Sequence, residues 1–317
     1  MTTCVIFNPV AARRRARAKL EGLRRFLGAE VDFRATERPG HGEELALEAA
    51  QAGFATVAAA GGDGTVHEVA NGLLRANRPE VTFAVIPLGS ANDYAFSLGQ
   101  EEEPGAAAFA DTRRVDVGWV QAETGKDRYF VNTLGLGFSG LVSVESRRID
   151  WLQGLPLYGL AFLRTLCFHF ASPRMTVAFD GQARSAPTLS LTIAIGPREG
   201  GFVVARDAVI DDGLFDYLHA GKLARWELLR YMPRLARGGE LPRDHPQIWM
   251  GRCREVDLDS EAPLTVHLDG EFFALAEQSI RKLKVRIYPG RLKVQNWKIP
   301  SSAGQAFKGR KDNSQKR

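Results

Sequence analysis

The sequence predicts an α/β N-terminal domain built on a parallel, Rossmann-like sheet, followed by a mainly antiparallel β-sandwich domain. Three observations carry that expectation. From the N-terminus to Asp116, strand-like and helix-like runs alternate, which is the mark of a parallel sheet. Two glycine-bearing turns, Gly61-Gly62-Asp63-Gly64-Thr65 and Pro87-Leu88-Gly89-Ser90, fall where a strand-like run ends and a helix-like run begins. Open α/β sheets bind ligands at such points. After Asp116 the runs become short and alternating or β-branched, separated by Asp-Gly and Pro-Gly pairs that suit tight turns.

In chain order, Val5-Ile6-Phe7 reads as a strand leading into Asn8-Pro9, and a basic helical stretch continues to Leu27. Val31-Asp32-Phe33 is a short strand, Pro39-Gly40-His41-Gly42 a turn, and Glu43 to Ala52 a helix. Thr56 to Ala60 is an apolar, buried strand that runs into the glycine turn. Beyond it, Val66, Val69, Ala70, Leu73 and Leu74 recur at helical spacing. Thr65 and Glu68 have the form of a capping box, and Ser90 with Asp93 repeats it. Val81 to Ile86 is a strand stopped by Pro87.

In the second domain, strands are expected at Tyr129-Phe130-Val131, Met175 to Phe179, Leu189 to Ile195, Leu264 to Leu268 and Leu283 to Ile287. Turns are expected at Asp180-Gly181, Asp212-Gly213, Asp269-Gly270 and Pro289-Gly290. An apolar helix over Trp151 to Phe170 is inserted among the strands; Pro156, Arg164 and His169 keep it from reading as a membrane span. The expected boundaries are 1–118 for the α/β domain and 119–290 for the sandwich, a return to the first domain over 291–300, and a basic disordered tail over 301–317.

Composition narrows the function classes. With 44% hydrophobic and 25% charged residues the chain reads as soluble and globular, and its net charge of +5 is a mild basic excess. That excess gathers in Arg13, Arg14, Arg15, Arg17 and Lys19, and again in Lys308, Arg310, Lys311, Lys316 and Arg317. Such clusters suit phosphates or anionic lipid, or are a solvated helix face and a tail. No aromatic-interleaved basic stripe is present, so nucleic acid is not an expected partner. Cys4, Cys167 and Cys253 are odd in number and far apart, which fits a reducing cytoplasm. The six histidines show no metal-pairing spacing, and no HExxH or GxSxG motif argues for a hydrolase.

The chemistry that the motifs suggest is phosphoryl transfer. Glycines at a strand-to-helix turn let a ligand approach the backbone, and the helix's first N–H groups attract anions. The Gly61 to Thr65 run matches neither the Walker A pattern nor the dinucleotide fingerprint. Asp269-Gly270 suits a hairpin turn. On an extended segment, however, Asp269 and Glu271 would share one side, so that one accepts a proton while the other holds magnesium. Asp211-Asp212-Gly213-Leu214 reads either as a turn or as a small hard-cation site.

Taken together, these runs resemble the diacylglycerol kinase catalytic-domain superfamily in its soluble bacterial lipid-kinase form, related to sphingosine and ceramide kinases. The matching stretches are Asn8-Pro9, Thr36 to Gly42, Gly61 to Glu68, Pro87 to Asp93, Arg114 to Gly118, Asn132 to Phe138, Asp211 to Asp216 and Leu268 to Glu271. Val10-Ala11-Ala12 stands where the family often has Ser-Gly, and Ser90 where Thr is common. The resemblance implies an ATP-dependent lipid kinase in which ATP and lipid meet in a cleft between the two domains. Asn8, Thr36, Gly61, Gly62, Asp63, Gly64, Thr65, Val66, His67, Ser90 and Asn92 would bind ATP. Asp269 would be the general base, assisted by Glu271, and Asp93, Asp116 and Glu271 would hold the catalytic Mg2+, directly or through water. Asp212, with the carbonyls of Leu214 and Val209, would match a second metal site. The implied acceptor is a lipid at a membrane surface, reached by a cytoplasmic enzyme with peripheral membrane contact; homodimer formation stays open. The apolar Trp151 to Phe170 region would guide acyl chains or, equally, pack in the core, and Arg147, Arg148 and the tail would meet headgroups. The alternatives are an NAD kinase-like or other kinase sharing the glycine loop, and a catalytically silent lipid or nucleotide sensor.

Overall fold

The structure, a computed structural model, describes residues 2–9, 24, 31–99, 109–149, 151–152 and 155–297. The basic cluster Arg13 to Lys19, the stretch Val10 to Ala12 and the tail 301–317 lie outside the described residues. The chain divides into two compact units: the first comprises residues 1–89, 98–113 and 293–317, the second 90–97 and 114–292.

In the first unit, strands β1 (Thr3–Phe7), β2 (Val31–Ala35), β3 (Thr56–Gly61) and β4 (Thr82–Pro87) pair in parallel in the order β2-β1-β3-β4. Val294–Asn296, the end of the long strand Lys282–Trp297, adds to β4, also in parallel. Helices α1 (His41–Gln51) and α2 (Asp63–Ala76) connect these strands. β3 is buried along its whole length, as the near-continuous apolar run predicts for a central parallel strand. Its alanines, with Val5, Ala84 and Ile86, form the core against which Phe7, Val31, Phe33 and Leu88 pack. The two helices lie so close that a Cβ on Gly72 of α2 would overlap the carbonyl oxygen of Glu43 in α1. Glycine is needed there for space.

The second unit is antiparallel throughout its main sheet. Six strands run in the order Ile248–Cys253, Phe215–Ala220, Ser190–Ala194, Thr133–Gly137, Val266–Leu268 and Glu271–Ala274. A further antiparallel set joins the first part of Lys282–Trp297 to Glu255–Ser260, Arg174–Phe179 and Gln182–Pro187. The fold class read from sequence is thus the one observed. Three local expectations change. Pro289-Gly290 is no hairpin: the strand continues through it, with Gly290 at φ 57. The apolar helix is shorter, Leu155–Phe168, and packs with a helix at Phe138–Arg147 that its Gly, Ser and Val residues do not announce. A further helix, Arg225–Ala236, carries Pro233 inside it. Buried Glu145 ties the first two together, accepting from Arg148 at 2.7 Å and Arg164 at 2.6 Å. No described helix is long and apolar enough to cross a membrane.

His219, on Phe215–Ala220, is buried and stacked on Trp249 with ring centroids 4.4 Å apart, and its Nε2 lies 2.9 Å from Thr188 Oγ1. Burial pushes the imidazole down from 6.5 to about 4. Between those values the unfolded chain binds a proton that the folded chain does not. Stability is therefore expected to be full above about 6.5 and to fall as pH drops toward 4, by roughly 3 kcal/mol in total. Urea unfolding from pH 4 to 7 checks this, and His219→Gln should flatten that part of the profile.

Candidate active site

The candidate nucleotide residues of the first unit converge on one edge of its sheet. β1, β2, β3 and β4 end in register, with Phe7 opposite both Ala35 and Ala60, and Gly61 opposite Pro87. Thr36, Asn8, Gly61 and Leu88 therefore follow one another across the carboxyl ends of parallel strands. Backbone bonds link these ends: Asn8 N–H to Ala60 O at 3.3 Å, Thr36 N–H to Phe7 O at 2.9 Å and Leu88 N–H to Gly61 O at 2.9 Å. α2 begins at Asp63 with extended Gly62 as its N-cap, and no side chain caps it. This start carries the positive end of the helix dipole. A Cβ on Gly61 would overlap Thr65 Oγ1, and one on Gly62 would stand 3.3 Å from the Gly89 Cα.

The capping box expected of Thr65 and Glu68 is not formed, because the helix begins at Asp63 and Glu68 bonds elsewhere. The Glu68 carboxylate accepts the N–H groups of Gly40 at 2.7 Å and Gly42 at 2.9 Å, pinning the Thr36 to Gly42 turn against α2. Gly62, Asp63 and Gly64 are half-buried, while the side chains of Thr65, Val66 and His67 turn into the core. Any ligand contact by Val66 or His67 is consequently made by backbone. Ser90 and Asn92, the latter at φ 51, belong to the second unit.

In the second unit the focus is Asp269. Asp269 (φ 52) and Gly270 (φ 86) are the two turn residues between Val266–Leu268 and Glu271–Ala274. Positive φ at both central positions is the hairpin form, so the extended segment that would set Asp269 and Glu271 side by side is absent. The Asp269 carboxylate is buried and accepts three backbone N–H groups, from Val131 at 3.0 Å, Asn132 at 2.8 Å and Thr133 at 3.0 Å. Glu271 is half-exposed and bonds Arg147 at 2.8 Å, and the same guanidinium donates to Gly270 O and lies over Phe272.

Asn132 links this turn to Asp93. Its Nδ2 donates to Arg198 O at 2.7 Å, its Oδ1 accepts from Ser97 Oγ at 2.8 Å, and its carbonyl accepts from Ile195 N–H at 2.8 Å. Asp93 accepts the Gly201 N–H at 3.0 Å, and Arg198 Nε lies 3.6 Å from its Oδ1. Buried His267 places Nε2 2.9 Å from Glu199 Oε1. Sequence reasoning assigned no role to Asn132, Arg198 or His267. The motif match that covers Asn132 was the only signal, since the contacts arise from residues distant in sequence.

Asp116 is nearly fully buried. Its two oxygens accept Gly290 N–H and Gly213 N–H, each at 2.7 Å, and burial raises its carboxyl above the usual range against the pull of these bonds. Asp212 accepts the Leu214 N–H at 3.0 Å, and Arg252 lies 3.3 Å from Asp212 and 3.2 Å from Asp216. Burial raises Asp216 as well. Val209 is exposed. Carboxylates suit a hard cation. Yet Asp93, Asp116 and Glu271 are each engaged by other donors, Arg252 supplies positive charge beside Asp212, and no three acidic, His or Cys side chains among the described residues are grouped to hold a metal. The expected side chains therefore form no set of direct magnesium ligands among the described residues.

Comparison with known proteins places these features. The diacylglycerol kinase catalytic domain matches residues 2–120, and the YegS C-terminal NAD kinase beta sandwich-like domain matches residues 132–296. A probable lipid kinase YegS-like protein of Chromohalobacter salexigens is 33% identical over 277 residues, covering 85% of this chain and 86% of the relative. A diacylglycerol kinase of Bacillus subtilis is 31% identical over 283 residues, covering 84% and 89%. The crystal structure of a diacylglycerol kinase from Bacillus anthracis str. Sterne superposes with a TM-score of 0.65 at 19% identity, covering 92% of this chain and 96% of that one, a likeness of fold.

Replacing Asn132 with Ala removes the bonds to Ser97 and Arg198 and leaves buried groups unpaired. Asn132→Ala is expected to lower stability by about 1–3 kcal/mol, measured by urea unfolding.

Proposed function

This chain belongs to the diacylglycerol kinase catalytic-domain family, and from that premise we propose that it transfers the γ-phosphoryl group of ATP to the hydroxyl of a lipid acceptor of the diacylglycerol, phosphatidylglycerol or sphingoid kind. The observation that carries the nucleotide half is the uncapped start of α2 at Gly62, set among the ends of four parallel strands. Phosphoryl transfer asks the protein chiefly for positioning and charge neutralisation. Backbone N–H groups of the Gly61 to Thr65 turn would hold phosphate oxygens, with Asn8 and Thr36 beside them at the same edge. No covalent intermediate is needed.

Asp269 would serve as the general base that takes the proton of the acceptor hydroxyl. Three backbone donors fix the plane of its carboxylate, the kind of orientation that a base needs before substrate arrives. The same bonds support a purely structural role, so the test must separate the two. Magnesium belongs to this reading as the ion that neutralises the nucleotide's charge.

The deciding experiment is transfer of labelled phosphate from ATP to a panel of lipids in mixed micelles, with NAD as a control acceptor. A labelled lipid supports the reading and names the acceptor; label on NAD alone would replace it with a nucleotide kinase. Asp269→Asn turns an amide donor toward at least one backbone N–H, so a stability loss of about 1–3 kcal/mol is expected along with the loss of transfer. Nucleotide binding should survive. Asn132→Ala serves as the structural control: if Asp269→Asn lost no more turnover than this variant at equal stability, Asp269 would be a clamp and not a base.

Gly62→Val sets a branched side chain against Gly89 at the phosphate end of α2. ATP affinity, read by equilibrium binding, is expected to fall at least tenfold; unchanged affinity would move the phosphate site elsewhere.

A further inference from the structure

One face of the second unit has a composition that neither the core nor the candidate site uses. Along the helix Arg225–Ala236 and its C-cap, Arg225 is exposed, as are Trp226, Leu229, Arg230, Pro233, Arg234 and Arg237, and at their spacing the last six form one stripe. Trp226 is 61% and Leu229 46% exposed. Arg225, Arg230, Arg234 and Arg237 form no ion pair among the described residues. The helix's single carboxylate, Glu227, is turned to its own N-terminus, accepting the Ala224 N–H at 2.6 Å and lying 3.0 Å from His245 Nε2. The opposite side of the helix is anchored through Leu228, in a cluster with Leu166, Leu223 and Ile248.

Leu166 belongs to the helix Leu155–Phe168, so the two helices pack on one core. Just past the end of the helix Leu155–Phe168, the ring centre of Phe170 lies 5.2 Å from the Arg225 guanidinium. The second helix adds Leu163, 47% exposed, and Phe168, 75% exposed. Large apolar side chains, one of them Trp, are thus left in water beside unpaired arginines with no acid interspersed. Water-facing helices do not otherwise gain from such a set. Trp and Leu can enter the headgroup boundary while arginines meet phosphates, which is the composition of an interfacial helix.

We propose that the helices Leu155–Phe168 and Arg225–Ala236 form a docking face for an anionic lipid bilayer. The bare positive charge selects this occupant over a second copy of the chain, whose matching face would carry the same arginines. The inference rests on the proposed lipid acceptor only for its physiological sense. Binding is measured without nucleotide, so its failure leaves the kinase reading standing, and the reverse also holds.

The test is co-flotation of the full chain with vesicles of phosphatidylcholine alone or with part of it replaced by phosphatidylglycerol. Binding to the anionic vesicles that weakens with salt is expected. Arg230→Gln with Arg234→Gln should weaken partitioning by about fivefold per arginine. Trp226→Ser should weaken it on its own. Exposed Arg174→Gln with Lys284→Gln, on strands of the same unit, is the charge-matched control and should change little. Thermal melting confirms that the variants fold. Absence of binding to anionic vesicles would overturn the proposal, as would equal losses in the test and control pairs. A dimer that Trp226→Ser dissociates, in a protein that ignores vesicles, would assign the face to a second copy.

Discussion

The carboxylate of Asp269 draws three consecutive backbone N–H groups, those of Val131, Asn132 and Thr133, into a buried turn. In return the Asp269 N–H donates to Thr133 O. These bonds lock the hairpin tip at Asp269-Gly270 to the start of the strand Thr133–Gly137. With that start held, Asn132 can reach Ser97 and the Arg198 loop, and that loop presents Gly201 N–H to Asp93. A buried N–H without an acceptor costs far more than a satisfied one contributes. The second unit's candidate site therefore depends on one side chain being in place.

The same device recurs through the chain. Glu68 collects the N–H groups of Gly40 and Gly42, Asp116 those of Gly213 and Gly290, Asp180 those of Arg254 and Glu255, and Glu123 those of Arg281 and Lys282. In each case one acid collects two backbone N–H groups at a turn or near the end of an element. Among the motif acids, Asp93, Asp116 and Asp269 accept backbone donors, so catalytic use of any of these three builds upon a structural duty.

Much of the first unit was legible because parallel sheets impose strong local patterns. The apolar run Thr56 to Ala60, the glycines after it and the apolar spacing from Val66 to Leu74 each follow from one element's own geometry. The reading failed where a side chain had two uses. Glu68 fits a capping box by spacing, but the turn at Gly40 and Gly42 offers it two donors and takes it. Asp269 and Glu271 alternate in sequence, yet the turn conformation at φ 52 and 86 removes the extended backbone on which alternation depends. The helices at 138–147 and 225–236 have weak local signals and form because Leu228, Leu166 and Phe138 share a core.

The sequence by itself determined the fold class, the glycine turn and the family, since these rest on short-range periodicity, backbone-permissive residues and motif order. Tertiary structure alone decided which partner each carboxylate takes, that Asn132 joins Asp93 to Asp269, and that Trp226 and Leu229 stay exposed on a helix whose arginines form no ion pair among the described residues. The reason is physical. Hydrogen bonds and exposure are properties of groups brought together from residues as far apart as 131 and 269, and no local pattern records who will meet whom when the chain closes.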